Sequence, residues 1–127
     1  PETLSSLLVV DFNPEAHQEL KKIGVNCKYG DISHVDTLRH LDLGQAKIII
    51  CSIPDKILKG TTNLKMLKQL KMLAPNSSII VTAENLKGAQ EMYEHGASYV
   101  FIPRLITANY MVDVIERLQV NGPDSIK

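Results

Sequence analysis

Acidic and hydroxyl side chains follow apolar runs at three points of this sequence. Asp11 comes directly after residues 7–10, and Asp31 and Ser52 each follow a later apolar run. In an open α/β sheet, ligands bind at the carboxyl ends of the strands, which is where these side chains would lie. An acid at such a strand end can accept hydrogen bonds from a ribose diol. The pattern therefore indicates a ligand-binding edge, with Asp11 as its first candidate.

The same residues also have an ordinary structural interpretation. Asp11 is equally consistent with a helix-capping or solvated acid, and Asp31 lies in a Gly-Asp pair, which is common in turns. Ser52 and Pro54 fit a plain strand-to-helix turn, in which Asp55 carries a favourable charge near the next helix N-terminus. The residues alone leave both interpretations open.

Neither a catalytic set nor a metal-ligand cluster accompanies these acids. The two cysteines, Cys27 and Cys51, form no CxxC pair, and the four histidines are scattered. Both cysteines lie in apolar runs and fit small core residues in a reducing compartment. The 14 basic and 14 acidic residues balance, which argues against a nucleic-acid or anionic-membrane surface. We therefore expect a protein that is not an enzyme, holds no metal and has no nucleic-acid partner.

Strands and helices are predicted to alternate along the chain. Short apolar runs rich in β-branched residues predict five strands, at residues 7–11, 25–29, 47–51, 78–82 and 99–102. Capped or amphipathic segments predict the helices, at residues 14–23, 33–41, 56–73, 84–95 and 105–120. This alternation predicts one α/β domain over residues 1–127, with a parallel sheet, helices on both faces and a loose tail at residues 121–127. No apolar run approaches the ~20 residues of a membrane helix, so we expect a soluble chain.

Six short motifs in four stretches of the chain carry a resemblance to a known family. They are VVDFNPE at residues 9–15, YGDIS at residues 29–33, AKIII and SIPD within residues 46–55, and GASYV and IP within residues 96–103. In this order and spacing, which covers nearly the whole chain, they resemble the RCK domain, also called KTN or TrkA-N. That family is the cytosolic Rossmann-type regulatory domain of potassium channels, potassium uptake systems and cation/proton antiporters.

The resemblance implies a function and a set of ligand-binding residues. A nucleotide (AMP, ADP, ATP or NAD(H)) would bind with its ribose at Asp11 and its adenine beside Asp31 and Ile32. Ser52 and Pro54 would lie in the loop that approaches the bound nucleotide. The implied role is regulation of a membrane channel or transporter domain, in the same chain or a partner chain, from the cytoplasmic side of the membrane.

The chain departs from the family at its beginning, where family members have a strand, a GxGxxG turn and a helix. All 7 glycines here are isolated, so no glycine-rich turn is present to cradle a pyrophosphate. We therefore expect a full dinucleotide to bind poorly and a mononucleotide to be the better ligand. A Rossmann sheet has the strand order 3-2-1-4-5-6, so the missing first strand lies in its centre. If the gap closes and the remaining strands are renumbered from the first strand of this chain, the order becomes 2-1-3-4-5. We therefore predict a three-layer Rossmann-like fold with an open five-stranded sheet of that order. The rival outcome is that another segment, such as one from a partner subunit, fills the gap.

The last predicted helix indicates a contact with a second copy of the chain. Its apolar positions and one tyrosine are the candidates for this contact: Tyr110, Met111, Val112, Ile115 and Leu118. The resemblance implies that this segment packs across, or swaps into, a twin subunit, which would make the protein a homodimer. Packing of the same residues on the helix's own sheet is equally consistent with the sequence.

Response-regulator receiver domains share this length and strand order, and they give the main alternative. They need paired acids after the first strand, an Asp after the third and a Lys after the fifth. Here Phe12 follows Asp11, Ser52 follows the third strand and Arg104 follows the fifth, so an acidic Mg²⁺ site and phosphotransfer are not expected. A ligand-free interaction or dimerisation module of receiver-like shape remains the alternative to a nucleotide sensor.

Overall fold

The computed structural model alternates parallel strands with helices, and it describes the backbone of residues 2–126 and the side chains of residues 4–124. The strands are β1 (Leu8–Asp11), β2 (Asn26–Tyr29), β3 (Ile48–Ile50), β4 (Ser78–Thr82) and β5 (Tyr99–Phe101). The helices are α1 (Glu2–Ser5), α2 (Pro14–Lys22), α3 (Val35–Arg39), α4 (Asn63–Leu73), α5 (Leu86–Glu94) and α6 (Pro103–Asn121). Every strand pair in the described residues is parallel, which confirms the predicted α/β class.

Local sequence signals set the first strand-helix unit as predicted. Asn13 caps α2, because its side-chain oxygen accepts a hydrogen bond from the backbone N–H of Glu15 at 3.0 Å. Pro14 takes the first helical position, where its missing N–H costs no intrahelical hydrogen bond. After the helix ends at Lys22, Gly24 adopts a φ of 80°, a left-handed conformation that favours glycine.

The long helix predicted over residues 56–73 is wrong in its first half. Helix α4 begins only at Asn63, and residues 52–62 form a loop, which we call the β3–α4 loop. Gly60 in this loop has a φ of 77°, which a continuous helix cannot contain. Thr62 has extended backbone and caps α4 by accepting a hydrogen bond from the Lys65 N–H at 3.1 Å.

Both ends of the chain contain helices that the sequence does not predict. Helix α1 precedes β1, where no element is predicted. Residues 123–126 of the tail expected to be loose form a short 3₁₀ helix, and another such helix spans Leu43–Gln45. Pro1, and Lys127 at the end of that tail, lie outside the described residues. Within the described part of the chain, no helix has both the length and the apolar character needed to cross a membrane.

The strands form two parallel sheets rather than one. Strand β1 pairs with β2, from Leu8 opposite Asn26 to Asp11 opposite Tyr29, while β3, β4 and β5 pair in that order. Among the described residues no strand pairs with the remaining edges of β1 and β3, so the prediction of one continuous, open five-stranded sheet of order 2-1-3-4-5 is wrong. Strands pair only where their backbones come within about 4.8 Å of each other, and in the described part of the chain the edges of β1 and β3 form no such ladder. Helix α3, in the connection between the two sheets, packs against α4.

The hydrophobic core lies between one face of the larger sheet and helices α4 and α5. The buried apolar side chains that form it are Leu38, Leu67, Leu70, Ile79, Val81, Ala83, Ala89, Met92 and Val100. Leu38 comes from α3, in the connection between the two sheets, and it is 5% exposed. The core of the larger sheet therefore also anchors the chain that leads to it from the smaller sheet.

The opposite face of the larger sheet is apolar and open. Strand alternation turns Ile48, Ile50, Tyr99 and Phe101 away from the core, and these side chains are 60%, 57%, 53% and 37% exposed. In the described part of the chain, the first turns of α6 approach this face at Ile50 and Phe101. This side of the larger sheet thus lacks the helix layer that we predicted for both faces.

Candidate functional site

The ends of β1 and β2 meet at a small cavity of about 30 Å³. The strand ends contribute Val10, Asp11, Phe12, Gly30, Asp31 and Ile32, and the β3–α4 loop contributes Ile53, Leu58 and Lys59. Three of the five residues predicted to bind a nucleotide, Asp11, Asp31 and Ile32, are therefore brought together. The cavity also brings a lysine beside two carboxylates, so it can present both signs of charge to a ligand.

Asp11 is held at the cavity by its own backbone and leaves part of its carboxylate available. Its Oδ1 accepts a hydrogen bond from the backbone N–H of Asn13 at 2.9 Å. Its carbonyl oxygen accepts hydrogen bonds from His17 Nε2 at 2.7 Å and from the Gly30 N–H at 3.3 Å. No hydrogen bond among the described residues uses Oδ2. Asp11 thus does not cap α2, which is capped by Asn13; its carboxylate closes a turn with Asn13 and keeps one oxygen as an acceptor for a ligand hydroxyl.

Asp31 is an exposed acid that is fixed by a tight turn. Its Oδ1 accepts hydrogen bonds from the Ser33 hydroxyl at 2.7 Å and the Ser33 N–H at 2.9 Å. These two hydrogen bonds lower the pKa of the Asp31 carboxyl below its usual value, so the group is ionised at neutral pH. Gly30, which precedes Asp31, lies so close to α3 that a Cβ added to it would be 2.9 Å from Thr37 Cγ2, and one of the two groups would have to move.

The β3–α4 loop is fixed at its base by Asn63, the first residue of α4. The Asn63 side chain is fully buried, and its Nδ2 donates to Asp55 Oδ1 at 2.7 Å and to the Ile53 carbonyl at 2.9 Å. Its backbone N–H also donates to Asp55 Oδ1 at 2.7 Å, and its Oδ1 accepts from the Thr82 N–H at 3.4 Å. Asp55 therefore lies at the N-terminus of the next helix, as the ordinary interpretation of this turn expected.

Sequence reasoning missed Asn63, although a signal for it exists. Asn63 lies eight positions after Asp55, an acid already expected near a helix N-terminus, and an asparagine amide can donate to such a carboxylate. The bonds of Asn63 to two separate segments are tertiary contacts, which the hydrophobic period of the helix does not indicate.

Ser52 and Pro54 do not line the cavity at Asp11. Ser52 lines a separate, open cavity of about 270 Å³ at the ends of β3, β4 and β5, together with Ile50, Thr82, Phe101, Pro103, Ile106 and Thr107. The carbonyl of Pro54 instead accepts hydrogen bonds from the backbone N–H groups of Ile57 and Leu58. In this structure the side of the loop that faces Asp11 is formed by Ile53, Leu58 and Lys59.

Helix α6 exposes all five residues predicted to contact a second copy. Tyr110, Met111, Val112, Ile115 and Leu118 are between 37% and 63% exposed. No described residue of α6 is buried, so these side chains do not pack on their own sheet. The contact with a second copy stays a prediction, and the structure leaves the required surface accessible.

The two cysteines are free and partly buried. Burial raises the pKa of the Cys51 thiol to about 11, so this thiol stays protonated and is a poor nucleophile. Among the described residues, no group of three or more His, Cys, Asp and Glu side chains is arranged to hold a metal ion.

Comparisons with known proteins agree with this architecture. Residues 2–103 match the family model of the TrkA-N domain. The glutathione-regulated potassium-efflux system protein KefC of Enterobacter sp. (strain 638) is 30% identical over 80 residues, which are 63% of this chain and 12% of KefC. The chain thus spans a small part of the curated relatives that it matches.

Two solved structures show the same fold. The NAD(P)-binding domain of an exopolyphosphatase-related protein from Archaeoglobus fulgidus is 24% identical, with a TM-score of 0.70 over 91% of this chain and 85% of that chain. The GsuK channel bound to NAD is 21% identical, with a TM-score of 0.63 over 80% of this chain and 18% of that chain. GsuK has also been solved bound to ADP.

Replacing Asn63 by Ala should lower the free energy of unfolding by roughly 2–4 kcal/mol, because the Thr82 N–H and the Asp55 carboxylate lose a buried partner. Urea unfolding followed by circular dichroism measures this loss. Asn76→Ala is the matched control: Asn76 is exposed in the turn after α4, and its loss should change stability by at most about 0.5 kcal/mol. Equal losses in the two variants would contradict the anchoring role of Asn63.

Proposed function

Because the chain belongs to the TrkA-N domain family, we propose that it is a nucleotide-sensing regulatory domain of a potassium or cation transport protein. The observation that carries this proposal is the meeting of Asp11, Asp31 and Ile32 at one cavity, at the carboxyl ends of two parallel strands. The family match covers all three residues. The potassium-efflux system protein KefC and the GsuK channel support the transport context.

The chemistry of the cavity suits the ribose and adenine of a nucleotide. A carboxylate with a free oxygen, as in Asp11, accepts hydrogen bonds from a ribose diol. Ile32 and Ile53 offer apolar surface to a base, and Lys59 offers a positive charge to a phosphate. NAD and ADP bind to GsuK, and NAD(P) to the Archaeoglobus fulgidus domain, which supports a ligand of this class.

The sequence of the described site favours a mononucleotide over a dinucleotide. A pyrophosphate is normally cradled by backbone N–H groups of a glycine-rich turn at a helix N-terminus, and the 7 glycines of this chain are isolated. AMP needs only the ribose and adenine positions and one charge near its phosphate. We therefore propose AMP, ADP or ATP before NAD(H).

Regulation here means binding without turnover. The acids of the cavity follow the smaller sheet, whereas Ile53, Leu58 and Lys59 follow the larger sheet, so a ligand in the cavity contacts both halves of the molecule. Such a ligand favours the arrangement that it binds more tightly, and only that difference in affinity can drive a conformational change. We propose that this change is passed to a membrane channel or transporter domain, in the same or a partner chain, from the cytoplasmic side.

Dimerisation is the second part of the proposal. Helix α6 and the open face of the larger sheet are both apolar and both exposed. Burying apolar surface yields roughly 25 cal/mol per Å², so a second copy that covers these surfaces would gain stability. We propose a homodimer with Tyr110, Met111, Val112, Ile115 and Leu118 in the contact.

One observation favours a second candidate, a ligand-free interaction module. Ligand pockets usually have volumes of roughly 300–1,000 Å³, and the cavity at Asp11 has about 30 Å³. In that case the accessible apolar surfaces would carry the whole function.

Calorimetric titration with AMP, ADP, ATP, NAD⁺ and NADH tests the sensor. We expect saturable binding that is tightest for the mononucleotides, and a roughly tenfold loss of affinity in Asp11→Asn. This variant keeps an oxygen for the Asn13 N–H but removes the charge that strengthens the hydrogen bonds to ribose. Asp36→Asn, which removes a carboxylate of α3 outside the cavity, is the control and should bind like the unmodified chain. Absence of heat from every nucleotide in a folded sample would contradict the proposal and favour the ligand-free module.

Sedimentation equilibrium tests the dimer. The unmodified chain should sediment as a dimer and Ile115→Glu as a monomer, because a charge within an apolar contact must be desolvated. Asn109→Glu places the same charge on another side of the exposed helix and should leave the dimer intact. A monomeric unmodified chain, or a dimer that survives Ile115→Glu, would rule out this contact.

A further inference from the structure

We propose that Leu58, Lys59 and Gly60 form a lid that closes the cavity at Asp11 in the ligand-free chain, and that a nucleotide binds only when this segment moves away. This inference rests on the nucleotide-sensing function proposed above and adds a regulatory step to it. The name "lid" refers below to these three residues.

The size of the cavity is the first argument for a lid. Its volume of about 30 Å³ is enough for one or two water molecules, and a nucleotide needs a pocket roughly ten times larger. Three of the nine cavity residues, Ile53, Leu58 and Lys59, come from the β3–α4 loop. Hydrogen bonds between β1 and β2 fix the strand ends on one side of the cavity. The β3–α4 loop on the other side is therefore the part that can move away to enlarge it.

The hydrogen bonds of the loop are concentrated at its base. Asn63 ties Ile53 and Asp55, and Thr82 Oγ1 donates to the Cys51 carbonyl at 2.8 Å. The start of the lid is joined only to its own loop, because the Leu58 N–H donates to the Pro54 carbonyl at 3.2 Å. No hydrogen bond among the described residues ties Lys59 or Gly60 to the ends of β1 and β2. The base is therefore a fixed hinge, and the lid rests on the cavity through side-chain contact.

Gly60 brings the lid against the turn that fixes Asp31. A Cβ added to Gly60 would lie 3.2 Å from Ser33 Cβ and 3.4 Å from Ser33 Oγ, and this serine donates both hydrogen bonds to Asp31 Oδ1. Only a glycine, with its φ of 77°, allows the backbone to approach so closely without strain. The close approach thus depends on one residue and can be removed by adding one methyl group.

Lys59 has no ionic partner among the described residues in the closed position. It lines the cavity together with Asp11 and Asp31, but in the described part of the chain its ammonium forms no ion pair with either carboxylate. A bound nucleotide would offer Lys59 a phosphate as an anionic partner while the ribose hydroxyls occupy Asp11. Ligand binding therefore supplies an interaction that the closed lid lacks.

A closed lid lowers the apparent affinity of the site. If only a fraction of the molecules is open, the measured Kd equals the Kd of the open state divided by that fraction. Changes that displace the lid without touching the acids must then strengthen binding. Truncating a residue that only forms part of a binding pocket has the opposite effect, because it removes contacts with the ligand and raises the Kd.

Calorimetric titration of the 127-residue chain with AMP tests the lid in two variants. Gly60→Ala pushes the lid away from Ser33, and Leu58→Ala removes its half-buried apolar side chain. Each should lower the Kd for AMP by about threefold or more.

Each variant has a matched control that should leave the Kd unchanged. Gly24→Ala places an alanine in the same unfavourable left-handed conformation as Gly60→Ala, because Gly24 has a φ of 80°. The new Cβ at position 24 would meet no atom within 4 Å. Ile57→Ala truncates the neighbour of Leu58, an exposed side chain that does not line the cavity. Amide NMR spectra of residues 58–60 and 31–33 report separately whether Gly60→Ala has moved the lid.

The possible results separate the lid from the function on which it rests. Tighter binding in Gly60→Ala and Leu58→Ala, with both controls unchanged, supports the lid. If the unmodified chain binds AMP and both lid variants bind it equally well or more weakly, the lid is overturned and the nucleotide sensor stands. If no form binds AMP although the NMR spectra show a displaced lid, both the lid and the sensor are overturned.

Discussion

Backbone hydrogen bonds join the strands within each of the two sheets, but no ladder of such bonds joins β1 to β3 across the gap between them. The two halves of the molecule are therefore held in place by side chains. Leu38 of α3 lies in the core of the larger sheet, and Asn63 fixes the β3–α4 loop whose far side covers the ends of β1 and β2. The candidate site lies at this boundary. A ligand that enters this site contacts both halves of the molecule. Because no strand ladder fixes the position of one half relative to the other, the ligand can favour one arrangement of the two, as a sensor requires.

The chain also exposes a large amount of apolar surface away from this gap. With one face of the larger sheet open and α6 without a buried residue, the molecule leaves two apolar surfaces accessible to water. Such surfaces usually mark sites of interaction with other protein.

The sequence predicted those parts of the fold that depend on neighbouring residues. Asn13 and Pro14 begin α2 as expected, each short run of β-branched residues forms a strand, and Asp11, Asp31 and Ile32 converge because parallel strands end at one edge. The resemblance to the RCK family, built on motifs in the correct order, is confirmed by the match over residues 2–103.

Three of the failed predictions concern contacts between residues that are distant in the sequence. Closure of the sheet depends on whether β1 and β3, which are far apart in the sequence, approach closely enough to pair, and no local pattern encodes that distance. The start of α4 depends on Gly60 and on the bonds of Asn63 to Asp55 and Thr82, whereas apolar spacing alone extended the helix too far. Ser52 was assigned to the Asp11 cavity because it follows the adjacent strand, but the loop turns Leu58 and Lys59 to that cavity instead.

The decisive experiment is a crystal structure of the chain grown with AMP. We expect ribose hydroxyls within hydrogen-bond distance of Asp11, adenine against Ile32, and residues 58–60 displaced from the ends of β1 and β2. A nucleotide bound instead in the open cavity beside Ser52 and Thr107, or crystals that contain none at saturating AMP, would contradict this expectation.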